Sequence, residues 1–241
     1  MKTTPEADTI LERLAFGRGN AKLDGHIATF SMPAGRTCPM ALDCKATADR
    51  ETGKITDGPD ATFRCFAASA EAAFPSVRGA RWRNFDLLTG AKTTKGMADL
   101  ILASLPTWAT AVRVHVSGDF FSLAYFQAWR SVAIKRPELL FYAYTKSAHL
   151  LPHRSEMPSN FRVTISDGTR ADIAAARKKG YFVATVVFST DTDLPIDHDD
   201  SHAMEATHDF ALLLHGTQPK GTEAAAALKT LRAQGYKGYS S

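Results

Sequence analysis

From residue 26 onward the hydrophobic positions fall into two alternating patterns. His26 to Met32 alternates as a strand does and ends at Pro33-Ala34-Gly35. Val112 to Val116, Leu139 to Tyr144, Phe161 to Ile165, Phe182 to Phe188 and Phe210 to Leu214 are further short strand-like runs. Between them, apolar residues recur three and four apart, which is helical spacing. Met97 to Leu105 puts Leu100, Ile101 and Leu105 on one face, and Leu123 to Ile134 does the same with Leu123, Phe126, Trp129 and Val132 or Ala133. Arg170 to Lys179 is a helix stopped by Gly180, and Glu223 to Ala233 is the closing helix. Phe63 to Cys65 leads into an alanine-rich helix through Ala73, ended by Pro75. At the N-terminus a short helix to about Leu14 carries Ile10, Leu11 and Leu14 on one side, before Gly17-Arg18-Gly19-Asn20 breaks it.

Six strands alternating with helices form the pattern of parallel βαβ units. They predict an α/β fold, a partial (β/α)6 barrel with a mainly parallel sheet. An open doubly wound sheet fits less well, because no glycine-rich dinucleotide loop follows the first strand. The expected organisation is one domain over residues 1–241, with 1–20 as an N-terminal extension and 45–64 as an inserted hairpin or loop.

Composition refines this picture only a little. The chain has 241 residues, 44% hydrophobic and 22% charged, ample for one cored domain. It contains no apolar run of the roughly 20 residues needed to span a bilayer, and Met1 to Glu6 lacks the apolar core of a signal peptide. The expectation is a cytoplasmic protein with no membrane partner. The net charge of +4 tolerates nucleic acid without demanding it. Its most basic stretch, Arg78-Gly79-Ala80-Arg81-Trp82-Arg83, reads as a solvated helix face rather than a phosphate-contacting patch.

In parallel α/β folds ligands gather at the carboxyl ends of the strands. Here those ends carry Ser117-Gly118-Asp119-Phe120-Phe121, Tyr144-Thr145-Lys146-Ser147, Ser166-Asp167-Gly168-Thr169 and His215-Gly216-Thr217-Gln218. Each alone reads as a turn, a helix cap or a loop start. Together they place Asp119, Lys146, Asp167 and His215 at one mouth.

The first strand exits into Cys38 and Cys44, and Cys65 follows after 20 further residues. An odd cysteine count in a chain of this type argues against a disulfide framework. Three thiolates on irregular backbone suit a soft metal: three corners of a [4Fe–4S] cluster, or a zinc site with His26 or His115 as fourth ligand. Three unrelated cysteines packed as small apolar residues are the plain alternative. A second cluster, Asp197-His198-Asp199-Asp200-Ser201-His202 with Glu205 and His208, contains a histidine pair one helical turn apart. It reads as a solvated acidic loop opening a helix, with Asp199 or Asp200 as cap.

Several of these segments, in order, carry a resemblance. Gly19-Asn20-Ala21-Lys22-Leu23, Phe30 to Pro39, Phe63-Arg64-Cys65-Phe66-Ala67, His115 to Phe121 and Phe141 to Ser147 resemble the "gene product eighty-eight" family of bacteriophage proteins, over nearly the whole chain. That resemblance implies phage or prophage origin. A weaker one is to radical S-adenosylmethionine enzymes, which have a six-unit partial barrel, a three-cysteine cluster loop after the first strand, and a small-residue-plus-acid motif after the second. By that resemblance Cys38, Cys44 and Cys65 would hold a [4Fe–4S] cluster. Ser117, Gly118 and Asp119 would hold the amino group of S-adenosylmethionine, with Tyr144 and His215 beside it and Lys146 and Asp167 as reacting groups. The sequence departs in its hairpin between the second and third cysteines and in Ser-Gly-Asp where Gly-Gly-Glu is usual. The expected function is an iron–sulfur enzyme of radical type acting in phage metabolism or on nucleic acid. Its rival is a non-catalytic zinc-stabilised module binding nucleic acid or a host protein.

Overall fold

Alternation within each strand decides what the two faces of the sheet become. In a computed structural model describing residues 12–20, 22–166 and 170–238, β5 (Ala111–Ser117) sends Val112 and Val114 into the main apolar core. Ala111 packs in a second cluster on the other side. In β6 (Leu140–Thr145), Phe141 and Ala143 join the main core, while Tyr142 and Tyr144 belong to the second cluster. The same strands therefore build an apolar layer on one face and a polar, aromatic surface on the other.

Among the described residues seven strands form one sheet, in the order β1-β2-β5-β6-β7-β8-β9, with β1 at Phe16–Arg18, β2 at Ile27–Ser31, β7 at Phe161–Ser166, β8 at Val183–Val187 and β9 at Phe210–Leu213. Strand β1 is antiparallel to β2 and every later pairing is parallel. The parallel strands stand in the order in which they occur in the chain, so no strand-order reversal interrupts the sheet. A separate antiparallel hairpin, β3 (Ala46–Ala48) with β4 (Ile55–Asp57), rises from the segment between the second and third cysteines.

Helices α2 (Pro75–Gly90), α3 (Thr94–Ser104), α4 (Leu123–Lys135) and α5 (Arg170–Lys178) supply the main core with Leu88, Ile101, Trp129 and Ala176, among others. Phe30, Trp129, Phe141 and Phe161 meet there in edge and tilted ring contacts. Helices α1 (Phe66–Ala73), α6 (Ser201–Glu205) and α7 (Glu223–Ala233) complete the chain. No helix among the described residues is long and apolar enough to cross a membrane.

Residues 16–18 pair in the sheet and Leu14 is buried in the core; the helix expected before them lies largely outside the described residues, and 12–15 are irregular. Helix α1 ends at Ala73 as expected, and Pro75 opens α2 at its first position, where its missing N–H costs nothing. Two expectations are corrected. Arg78 and Arg81 are buried rather than solvated: Arg78 donates to the carbonyls of Arg50, Glu51 and Glu71, and Arg81 to that of Ala67. Leu123 is 53% exposed, and Tyr125 takes the inward position expected for it.

Strand β5 carries an irregularity that shapes the site. Thr29 pairs with Arg113 but Ser31 with Ser117, so β5 spends two extra residues against β2. His115 sits in this bulge with φ 74°, a left-handed conformation rare outside glycine. The bulge puts His115 on the same side as Val114, against Phe30, Phe120 and Tyr125, where its Nε2 meets the Tyr125 hydroxyl at 2.9 Å. Burial pushes its pKa down to about 3, so the ring is neutral.

Candidate functional site

The strand ends converge on a cavity of about 590 Å³. Cys38 and Cys44, after β2, line it together with Cys65, which precedes α1. So do Ser117, Gly118 and Asp119 after β5, Tyr144 and Lys146 at β6, Ser166 at β7 and His215 after β9. Asp167 lies outside the described residues. His26 is exposed before the start of β2, at the opposite end of that strand from the cysteines. His115 reaches the cavity wall, but its ring contacts belong to the core.

The cysteine loop is held by residues that sequence reasoning passed over. Glu71, wholly buried on α1, accepts from the Ala34 amide at 2.7 Å, from Arg81 at 2.8 Å and from the Ser117 hydroxyl at 3.3 Å. It thereby ties the exits of β2 and β5 to the helix that follows Cys65. Lys45 donates to the carbonyls of Gly35 and Cys38, fixing the turn from inside. Both are single charged residues whose partners lie elsewhere in the chain, with contacts spanning up to 46 residues. Nothing local marks them.

The thiols influence one another across the cavity wall. A hydrogen bond with Cys44 is the main cause raising the Cys65 pKa well above its usual value, followed by burial and by the charges of Cys44 and Cys38. Burial pushes Cys38 up to about 12, with Asp119 adding to the effect. Cys38 and Cys65 are therefore protonated near neutrality, and all three thiols are only partly buried. Among the described residues no three histidine, cysteine, aspartate or glutamate side chains are arranged to hold a metal ion. The cysteines share a wall without forming a ready-made ion site.

Gly118 must be glycine twice over. Its φ is 92°, and a Cβ would stand 2.6 Å from the Thr37 hydroxyl oxygen. Asp119, beside it, is buried and accepts from the Phe120 amide at 2.6 Å, the Thr145 hydroxyl at 2.5 Å and the Lys146 amide at 2.9 Å. It does not cap α4; Ser122 does, accepting from the Tyr125 amide. Burial raises the Asp119 pKa against these bonds. Lys146 extends its ammonium to the Ser166 carbonyl at 2.6 Å and hydroxyl at 3.1 Å, linking two strand ends.

His215 lies against Phe66, ring centroids 4.5 Å apart and tilted at 40°, and its Nδ1 meets the Leu213 carbonyl at 3.1 Å. That bond makes Nδ1 the protonated nitrogen and Nε2 the basic one. Burial lowers its pKa to about 4. Gln218 clamps this loop to the third cysteine's segment, accepting from the Arg64 amide and donating to the carbonyls of Arg64 and His215.

Opposite the thiols stands a charged group that sequence reasoning missed. Asp200 is wholly buried and occupies the position before α6 with φ 65°, making no capping bond of its own. Its carboxylate pairs with Lys22 at 2.6 Å and Arg113 at 2.6 Å, and accepts from the Tyr144 hydroxyl at 3.0 Å and that of Tyr142 at 3.2 Å. The expected solvated cap is thus an interior ion pair. Of the neighbouring histidines, His202 and His208 bond to each other at 2.9 Å, and His198 is exposed. The strand alternation of β5 and β6 does put Arg113, Tyr142 and Tyr144 on one face; the missing signal was their partner, which lies 56 or more residues away.

The model of the family described as Gene product 88 matches residues 10–234 of this chain. No curated protein matches it, and neither does any solved structure.

Proposed function

We propose, from the premise that this chain belongs to the phage gene product 88 family, that its cavity is the active site of an iron–sulfur enzyme of radical type. The observation that carries the reading is the meeting of Cys38, Cys44 and Cys65 with Ser117, Gly118 and Asp119 on one cavity wall, at the carboxyl ends of parallel strands. Strands standing in chain order are also what a partial (β/α)6 barrel requires. The three cysteines would hold a [4Fe–4S] cluster, which when bound supplies one electron to a cofactor seated beside it. Binding has to draw the thiols into a common arrangement and release their protons, so affinity rises with pH. The loop that would move is held by Lys45 on the carbonyls of Gly35 and Cys38 and by Glu71 on the Ala34 amide, so binding has to work against those bonds.

Asp119 would orient an ammonium group such as that of S-adenosylmethionine. Its two oxygens accept three bonds in this structure, and a carboxylate has about four acceptor positions, which leaves one for a ligand. Lys146 fixes the neighbouring strand ends, and His215 lines the same cavity.

Anaerobic purification with iron and sulfide analysis tests the centre. The expected result is a brown protein with visible charge-transfer absorption that each of Cys38→Ala, Cys44→Ala and Cys65→Ala abolishes. A colourless protein carrying zinc, or no metal under reconstitution, sinks the reading. On the reconstituted protein, Asp119→Asn should weaken S-adenosylmethionine by about 1.5 to 3 kcal/mol, the worth of one charge-assisted contact; unchanged affinity removes Asp119 from the site.

A further inference from the structure

The thiols and the turn after β5 account for one side of the cavity only. The other side is built on Arg113, Lys22 and Asp200, all lining it. Arg113 and Lys22 have side chains only 13% and 7% exposed, and they share one carboxylate. Asp197 is buried near the same group but does not line the cavity. Asp197 balances the two buried cations in number. The cavity lining as a whole is not balanced: Lys22, Arg64, Arg113, Lys146, Arg232 and Lys237 stand against Asp119 and Asp200. A concave surface lined mainly by one sign of charge draws in the opposite one.

Arg113 is also incompletely used. Its Nη1 pairs with Asp200 at 2.6 Å, while its Nε is buried with no hydrogen-bond partner. The guanidinium lies over the Tyr144 ring at 5.1 Å, which holds its plane fixed. A planar fork with spare donors is the group that recognises a carboxylate or phosphate. An apolar surface continues from it. His215 lies within the field of both Lys22 and Arg113 and packs against Phe66; Leu212, Leu214 and Leu228 line the same cavity, with Ala70 on α1.

We propose that this half of the cavity binds a small organic anion, a carboxylate or phosphate on an apolar body. The oxyanion rests on Arg113 and Lys22, and the body lies against Phe66, Leu212, Leu214 and Leu228. The anion offsets the positive surplus of the cavity lining, and the apolar wall selects against free phosphate. The assignment goes beyond the metal reading and needs only the cavity.

Two fluorescent probes of the same shape separate charge from apolar contact: 8-anilinonaphthalene-1-sulfonate and its uncharged relative N-phenyl-1-naphthylamine, titrated into the metal-free full chain. The expected result is saturable binding of both, with the sulfonate tighter. Arg113→Lys keeps a cation against Asp200 but loses the fork, and should weaken the sulfonate by about tenfold while leaving the amine unchanged. Retained amine binding shows that this variant is folded. Ala70→Phe narrows the apolar wall and should weaken both probes. Equal affinity of the parent for the two probes, equal loss of both in Arg113→Lys, or no saturable binding overturns the proposal. A chain that binds the sulfonate but never takes up iron removes the metal reading and leaves this one standing, and the opposite pair of results does the reverse.

Discussion

Two aspartates are buried on the same cavity, and their surroundings treat them in opposite ways. Asp119 is held by neutral donors, two backbone amides and a hydroxyl. Asp200 is held by two cations and two tyrosines. Burial raises the pKa of both. At Asp119 it prevails over the bonds from Thr145, Lys146 and Phe120. At Asp200 the charges of Arg113 and Lys22 outweigh it and hold the carboxyl below its usual range. Depth alone therefore says little about a carboxylate; the kind of partner decides whether its charge is a strain on the fold or a part of it.

The largest effect should come from Asp200→Asn, which removes the carboxylate that Lys22 and Arg113 share. Removing one member of a buried ion pair costs about 3 to 5 kcal/mol, read as a lower midpoint in urea unfolding. A loss within a few tenths of a kcal/mol would show that the cations find water on their own and that the comparison is empty. Ser122→Ala should cost about 1 kcal/mol by uncapping α4. That variant sharpens the contrast, since Asp119 then has the chance to cap the helix and the loss measures whether it does.

Asp119→Asn should change unfolding free energy least, by less than about 1 kcal/mol: asparagine loses the bond from the Lys146 amide but removes a charge that burial disfavours. The pH dependence separates the two sites by sign. Asp200, with a lowered folded pKa, stabilises above the ordinary carboxylate range, so the gap between parent and Asp200→Asn closes as pH falls through that lowered value. Asp119, with a raised one, is penalised when ionised, so the parent gains on Asp119→Asn as pH falls from neutrality through its raised pKa. Urea unfolding of the three proteins between about pH 3 and pH 7 reads both slopes; slopes of the same sign would contradict the assignment of partners.

Much of the scaffold is legible in the chain. The runs at 112–116, 139–144, 161–165, 182–188 and 210–214 become parallel strands, because a strand buried on one face must alternate or run apolar wherever it lies. The polar segments after β5, β6 and β9 reach one cavity, because parallel strands point their carboxyl ends the same way. What stayed hidden depends on partners far along the chain. Asp200 sits in a run of acids and histidines that looks solvated, and only the approach of Lys22 and Arg113 makes it interior. Arg78 and Arg81 looked like a basic surface until Glu71 and the hairpin carbonyls were placed beneath them. The bulge at His115 has no sequence mark, since nothing in Val114-His115-Val116 requires a left-handed residue.

The sheet does not close on itself among the described strands, and its two borders are treated as a sheet exposed to neighbours has to be. One border is β1, three residues long and antiparallel to the rest, too short to template a second molecule. Along the other, residues 195–197 lie beside β9: Ile196 bridges Ala211, the Asp197 amide reaches the Ala211 carbonyl, and the Ala211 amide reaches the carbonyl of Pro195. Pro195 has no N–H to offer outward. Both borders thus resist strand addition, so a concentrated preparation of this chain has little means of growing into fibres through its native sheet.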